Sequence, residues 1–201
     1  MKTITITHQK GGVGKTTIAL NLAFAFKDNL KVAILDLDPQ RSAQNMSEMI
    51  QDKGIDFINK EDFKDNMDYD VVIIDTPPYL SNLLPAYLKM SDLVIIPTKV
   101  GLLDIMAIGG TISLVKEAQS HNPKLKAGIL LNMVMRTNFT EEIKDILVEQ
   151  SNGIEIMSSV LMQRVSYAKS PLFGGVFSTE DEKAKNEISG LVTELMEILE
   201  K

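Results

Sequence analysis

Lys10-Gly11-Gly12-Val13-Gly14-Lys15-Thr16-Thr17 lies between an alternating β-branched run, Thr3–Thr7, and a helical pattern over Gly14–Lys27 with apolar residues at 18, 22, 25 and 26. Strand, glycine-rich turn and helix N-terminus in that order are the setting of a phosphate-binding loop. Glycines let the backbone curl so that successive N–H groups point at phosphate oxygens. The helix start adds the positive end of its dipole. Gly11, Gly12, Val13 and Gly14 are therefore expected to cradle phosphates, with Thr16 and Thr17 at the first helical turn. Lys15 is placed to reach the β- and γ-phosphates, and the Thr16 hydroxyl to bind Mg²⁺. Gln9 stands where the usual G-x-x-x-x-G-K-[ST] pattern begins with glycine, and Lys10 adds a second lysine.

A nucleotide triphosphatase also needs a carboxylate at the end of a neighbouring buried strand, facing Mg²⁺ through water. Val71-Val72-Ile73-Ile74-Asp75 supplies one. A charge closing an apolar strand is costly unless it has a task or a partner. Asp36-Leu37-Asp38-Pro39-Gln40 ends a second strand, at the same carboxyl edge where ligands of parallel sheets bind. Alternation puts Asp36 and Asp38 on one side of that strand. Asp38 is the candidate for orienting the attacking water. Asp36 is the candidate for supporting the Mg²⁺ shell, which makes the expected metal set Thr16, Asp36 and Asp75.

The rest of the chain repeats this alternation. Apolar runs at Val32–Leu37, Val71–Asp75, Leu93–Pro97 and Ala127–Met133, with weaker ones at Ile55–Ile58 and Ile154–Leu161, predict strands. Val71–Ile74 and Leu93–Ile96 are continuous rather than alternating, as in strands covered on both faces. Helical patterns occupy Arg41–Gln51, Leu80–Met90, Leu102–Ser120, Thr140–Ser151, Gln163–Lys169 and Thr179–Leu199. The expected fold is α/β, a doubly wound, mostly parallel sheet with helices on both faces. Gly109-Gly110 inside the Leu102–Ser120 pattern should cost about 1 kcal/mol each relative to alanine, which reads as close helix packing or a kink.

Composition narrows the chemistry. The 201 residues contain no cysteine and two histidines, His8 and His121. Disulfides, iron–sulfur clusters and thiolate zinc sites are excluded. The net charge of −6 argues against a surface that coats nucleic acid, so any DNA contact must be a local patch. No run reaches the about 18 apolar residues of a membrane span, and the expected location is the cytoplasm.

At these motifs the chain resembles the deviant-Walker ATPases of the ParA/MinD family. Lys10–Thr17 looks like their variant P-loop, Leu35–Gln40 like the Asp-x-Asp-Pro-Gln element of the ParA branch, and Ile74-Asp75-Thr76-Pro77-Pro78 like their Walker B. Ser91–Pro97 and Gln163-Arg164 with Tyr167, Lys169 and Ser170 resemble small plasmid-partition ATPases of the ParF type. The resemblance implies ATP/ADP and Mg²⁺ as cofactors and a homodimer with nucleotides sandwiched at its interface. Lys10 would then reach the partner's phosphates, where positive charge stabilises the transition state, while Lys15 and Thr16 act in cis and Asp38 positions water. Asn132 resembles the adenine-contacting position, a strand-end cap being the alternative. The resemblance further implies weak intrinsic ATPase activity. The ATP-bound dimer would bind non-specific DNA, giving nucleoid association, and a centromere-binding ParB-like partner would release it by stimulating hydrolysis.

Arg164 and Lys169 are the candidate DNA contacts, with Lys144, Lys183 and Lys185 as further cations late in the chain. Each phosphate neutralised releases counterions, so binding should weaken steeply with salt. The tail from Glu187 to Lys201 has an apolar stripe at 188, 191, 192, 195, 198 and 199 but an acidic opposite face. Anionic lipid would repel it, so packing on the sheet is expected and no membrane attachment. The phosphate loop begins about ten residues from Met1, which predicts a single domain over 1–201 without an N-terminal helix-turn-helix domain. Two other functions fit the scaffold: a positioning ATPase for a division site or protein cluster, and a small-molecule enzyme similar to dethiobiotin synthetase.

Overall fold

The computed structural model describes residues 1–38, 43, 54–64, 66–79, 81–135 and 141–200. Pro39 and Gln40, all of the expected Arg41–Gln51 helix but Ala43, and the first residues of the Leu80–Met90 and Thr140–Ser151 patterns lie outside the described residues.

Seven strands, β1 (Lys2–Ile6), β2 (Val32–Asp36), β3 (Ile55–Ile58), β4 (Val71–Asp75), β5 (Leu93–Thr98), β6 (Lys126–Val134) and β7 (Glu155–Met162), form one sheet in the order β3-β2-β4-β1-β5-β6-β7. Every pairing is parallel. All strands therefore end at one edge, and β1, which leads into the phosphate loop, is central. The register sets Asp75 beside both Ile6 and Asp36.

The continuous apolar runs are explained by two covered faces. Ile4, Ile6, Ile34, Ile73 and Ile95 join one core with α1 (Lys15–Phe26) and the C-terminal helix. Their neighbours Leu35, Val72 and Ile74 enter a smaller cluster on the opposite face. Val94 and Ile96, with Ile129 and Leu131, pack there against α2 (Leu84–Met90), α3 (Leu102–Met106), α4 (Gly109–His121) and α5 (Glu141–Gln150). Each fully buried Ile or Leu contributes about 1.5–3 kcal/mol, so helices on both faces are required by the strands themselves.

The expected Leu102–Ser120 helix is two helices, α3 and α4, separated at Ala107 and Ile108. Close packing does account for Gly110. A Cβ there would lie 2.8 Å from the Gln9 side-chain nitrogen, so the glycine makes room for the residue before Lys10. Nothing crowds Gly109.

After β7 come α6 (Val165–Lys169), two 3₁₀ turns and α7 (Glu182–Glu200). Ile188, Leu191 and Leu195 of α7 are fully buried, so the stripe packs within the fold as expected. The polar face of α7 also serves β7. Glu194 accepts hydrogen bonds from the Ser158 and Ser159 N–H groups, 2.6 and 2.8 Å, and Glu187 accepts one from Met162 N–H, 3.1 Å. The Ser158–Ser159 donors sit where the β6–β7 register shifts, Ile129 facing Ile156 but Leu131 facing Val160. Asn21 ties α1 to the late segment: its amide donates to Thr17 carbonyl and Ser170 Oγ and accepts from Val176 N–H.

Candidate functional site

The Lys10–Thr17 loop turns from β1 into α1 through two left-handed glycines. Gly12 has φ +69° and Gly14, the residue capping α1, has φ +91°. L-residues with side chains pay about 1–2 kcal/mol in that region, so the glycines permit the curl. Gly14 is doubly constrained, because a Cβ there would run into the Asn132 amide. That amide donates to the Val13 carbonyl at 2.7 Å. Asn132 thus buttresses the loop from β6, a contact its spacing in sequence does not reveal. It lies within β6 rather than at its end.

Lys15 is buried, 7% exposed, and its Nζ donates to the Lys10 carbonyl at 3.3 Å. Burial pulls its pKa down, opposed by the nearby Asp75 and Asp38 charges. A buried ammonium beside a glycine-rich loop at a helix N-terminus is a site for an anion. Thr16 Oγ1 donates to Asp75 Oδ2 at 2.6 Å. Asp75 is wholly buried, its other oxygen has no partner among the described residues, and burial raises its pKa to about 7. An orphaned carboxylate oxygen beside a threonine hydroxyl fits a cation. Among the described residues no group of three or more His, Asp or Glu is gathered to hold a metal. Mg²⁺ keeps several waters and takes phosphate oxygens alongside one or two protein ligands, a role the Thr16 hydroxyl and the Asp75 oxygen could fill.

Asp38 lies in the loop beyond β2, which ends at Asp36, and joins Gly11, Gly12, Lys15 and Thr16 around a cavity of about 280 Å³. Asp36 is placed differently. Its two oxygens accept the backbone N–H groups of Asp38 and Ala43, both at 2.9 Å. It shapes the loop that presents Asp38, and the strand alternation expected to continue to Asp38 stops two residues short, at Asp36.

A second cavity, about 240 Å³ and mainly apolar, adjoins the first. Thr17 and Met133 line both. Asn132, Met162, Gln163 and Tyr167 complete its wall. Met133 has φ +54°, an uncommon backbone for a non-glycine. A phosphate cradle sharing walls with an apolar slot has the outline of a nucleotide, with Asn132 between loop and slot.

Four candidate cations are already engaged. Lys10 Nζ lies 2.7 Å from Asp104 Oδ1. Arg164 gives two hydrogen bonds to Glu187 Oε1, 2.9 and 2.6 Å, and stands 3.9 Å from Asp181. Glu187 also accepts from the Tyr167 hydroxyl. The Arg164 guanidinium therefore braces the apolar slot against α7 instead of projecting as a free phosphate contact. Lys144 and Lys185 pair with Glu141 and Glu182. Lys169 and Lys183 are exposed without an ion pair among the described residues.

His8 was not singled out by any motif. It is fully buried at the end of β1, and its Nδ1 accepts the Lys10 N–H at 2.8 Å. Burial, then the Lys15 charge, lowers its pKa to about 4 despite the opposing Asp104. The ring is neutral at pH 7 and fixes the backbone of Lys10.

Comparison with known proteins bears on the whole arrangement. Residues 4–176 match the family model described as the CobQ/CobB/MinD/ParA nucleotide binding domain. The chain is 26% identical to the "Maintenance of carboxysome distribution protein A" of Halothiobacillus neapolitanus, over 96% of each chain. It is 28% identical to "Protein ParA" of Rhizobium radiobacter, covering 92% of this chain and 89% of that one. A plasmid partition protein of Borrelia burgdorferi solved with AMPPNP superposes with a TM-score of 0.75 over 98% of each chain, at 20% identity.

Proposed function

We propose a function from one premise, that the chain belongs to the CobQ/CobB/MinD/ParA family of nucleotide-binding ATPases. Two copies close face to face on ATP, the closed dimer holds DNA without sequence preference, and partner-stimulated hydrolysis releases it. The cargo is a plasmid or chromosome, and the cycle segregates it.

One observation supports the dimer above others. Tyr79, Leu83, Leu102, Leu103, Met106, Met135 and Val165 are exposed, and all lie in segments that follow the carboxyl ends of β4, β5, β6 or β7. They lie in segments at the sheet edge that also carries the phosphate cradle. Exposed apolar surface gathered at one edge marks an interaction face, and in this reading that edge carries the nucleotide. ATP binding and self-association are then one event.

The roles follow from placement. Gly11 to Thr17 bind the phosphates and Lys15 supplies charge in cis. Thr16 and Asp75 would hold Mg²⁺, with Asp36 acting through the loop it shapes. That ion neutralises phosphate charge when bound. Asp38, beside the cradle, orients water. Lys10 acts across the interface on the partner's phosphates. The apolar slot takes the base, with Asn132 at its mouth. Salt-sensitive DNA binding uses exposed Lys169 and Lys183, doubled by dimerisation, and gives the ATP-bound form its nucleoid location. A ParB-like protein is the stimulating partner.

Asp38→Ala tests the core of this reading. ATP binding should persist, phosphate release should fall about 100-fold, the low end for a positioned acid–base group, and an ATP-dependent dimer should accumulate on sizing columns. Normal turnover in this variant would remove Asp38 from its role. Absence of any ATP-dependent change in mass or DNA binding would overturn the switch itself.

A second cargo has a specific observation behind it. The relative named for carboxysome distribution matches along 96% of both chains. A protein cluster carried over DNA would use the same cycle, and the two cargoes separate by which partner accelerates phosphate release.

A further inference from the structure

Strand β6 keeps a period of two until it reaches the phosphate loop, and there it breaks. Ile129, Leu131 and Val134 share one core, while Leu130 belongs to the core on the α1 face. The spacing within the first set is two and then three, so one residue has been added. The pairing with β7 locates it. Leu131 faces Val160 and Val134 faces Met162, which leaves Asn132 and Met133 opposite the single residue Leu161. Two residues against one is a β-bulge, and bulges re-aim side chains.

Neighbours in a regular strand point to opposite faces. Here both point one way. The Asn132 amide and the Met133 methyl each approach the place that a Cβ would take on Gly14, the methyl at 3.4 Å. The turn is bought with an uncommon backbone: Met133 has φ +54°, a region that disfavours any residue carrying a side chain. Without the added residue Met133 would face the opposite core. With it, the half-buried thioether lies where the phosphate cradle and the apolar slot meet, on the walls of both.

We infer that Met133 is a binding residue, swung by the bulge into the junction of the two cavities, where it packs on the sugar that joins phosphates to base. This deepens the nucleotide reading and rests on the two cavities holding one nucleotide. The two consecutive residues divide the work. Asn132 steadies the loop through the Val13 carbonyl, and Met133 covers the ligand. A thioether adds nothing to a bare phosphate chain but gives polarizable contact to the carbon face of a sugar. Met133 therefore makes the site favour a nucleoside triphosphate over triphosphate alone, and its backbone strain is the local cost of that contact.

The experiment measures binding of ATP and of inorganic triphosphate to the full chain by calorimetry, together with the urea midpoint. Met133→Ala should weaken ATP binding about tenfold, the scale of one partly buried apolar contact, and leave triphosphate binding unchanged. Met133→Gly should lose ATP affinity equally, yet its urea midpoint should stand above that of Met133→Ala. Only glycine takes this φ freely, whereas at a regular strand position it would be the weaker of the two. Met133→Leu restores apolar bulk and should return ATP binding to within about threefold of the parent. Equal losses of ATP and triphosphate would mean that Met133 acts through Gly14 and the loop, and overturn the sugar contact. Parental ATP binding in the alanine and glycine variants overturns it as well. A glycine variant less stable than the alanine variant overturns the strained bulge as the means of aiming Met133. If the parent itself binds ATP no more tightly than triphosphate, the nucleotide reading of the two cavities falls. If the parent prefers ATP and Met133→Ala keeps the full preference, the inference about Met133 falls alone.

Discussion

The phosphate loop and the Gln163–Ser170 segment both present basic residues that read as anion contacts, and the fold treats them in opposite ways. Lys15 is buried with a carbonyl as its hydrogen-bond partner and no carboxylate within ion-pair distance among the described residues. Arg164 is gripped by Glu187 and approached by Asp181. A cation with only a carbonyl partner is available to a ligand as it stands, whereas one gripped by a carboxylate must first be released. In the loop, the donors are backbone groups and the geometry is local. In the late segment, the decisive partner lies 23 residues further on.

The largest effect should come from removing the available cation. Lys15→Ala should weaken ATP binding or turnover about 1,000-fold, the upper range for losing one charge-stabilising donor, with little change in fold by circular dichroism. A modest loss would mean that the two regions differ less than their geometry says.

Arg164→Ala should act on stability first. It strips Glu187 of its charged partner on α7, and a hydrogen bond to a charged group is worth about 1.5–3 kcal/mol. The denaturant midpoint should fall accordingly, while the salt slope of DNA binding stays unchanged. A changed slope with parental stability would return Arg164 to the DNA surface.

His8 sharpens the contrast from inside the loop. Its pKa is about 4 in the fold against 6.5 when unfolded. Between those values the unfolded chain binds the extra proton, so this group makes stability decline as pH falls from about 6.5 to 4. His8→Asn should flatten that part of the acid-unfolding profile relative to the parent. An unaltered profile would show that the ring is not held neutral.

Lys169→Ala is the smallest. The slope of log affinity for DNA against log salt should drop by about two, as for the loss of one phosphate contact from each subunit of the dimer. Melting temperature should not move.

Much of this was legible in the chain, and the exceptions share a cause. β-branched runs located all seven strands, most plainly β4 and β5, where burial on both faces leaves a continuous apolar signature. Gly12, Gly14, Lys15, Thr16 and Asp75 were legible because strand, turn and helix fix their relation within a few residues or one strand pairing. What stayed hidden was contact between distant segments. Periodicity reports which residues are buried, not which one they meet. The Asn132 amide on Val13, the Arg164 pair with Glu187, and Asp104 against Lys10 each join elements remote in sequence. The break between α3 and α4 was missed because Leu102–Ser120 keeps its apolar spacing through Ala107 and Ile108, and glycine position alone does not distinguish packing from an end.

The carboxylates of α7 have a consequence for how copies of this chain can associate. Outermost strands offer unpaired donors that invite another chain to extend the sheet. At β7 the Ser158, Ser159 and Met162 N–H groups are already spoken for by Glu194 and Glu187. An incoming strand would have to evict two anchored anions and cross a register irregularity to zip along this side. Growth by sheet extension is closed off at this edge, which suits the proposed association through the strand tips that carry the phosphate loop. Whatever assembles through those tips can be taken apart by hydrolysing what lies between them, which a zipped sheet would not allow.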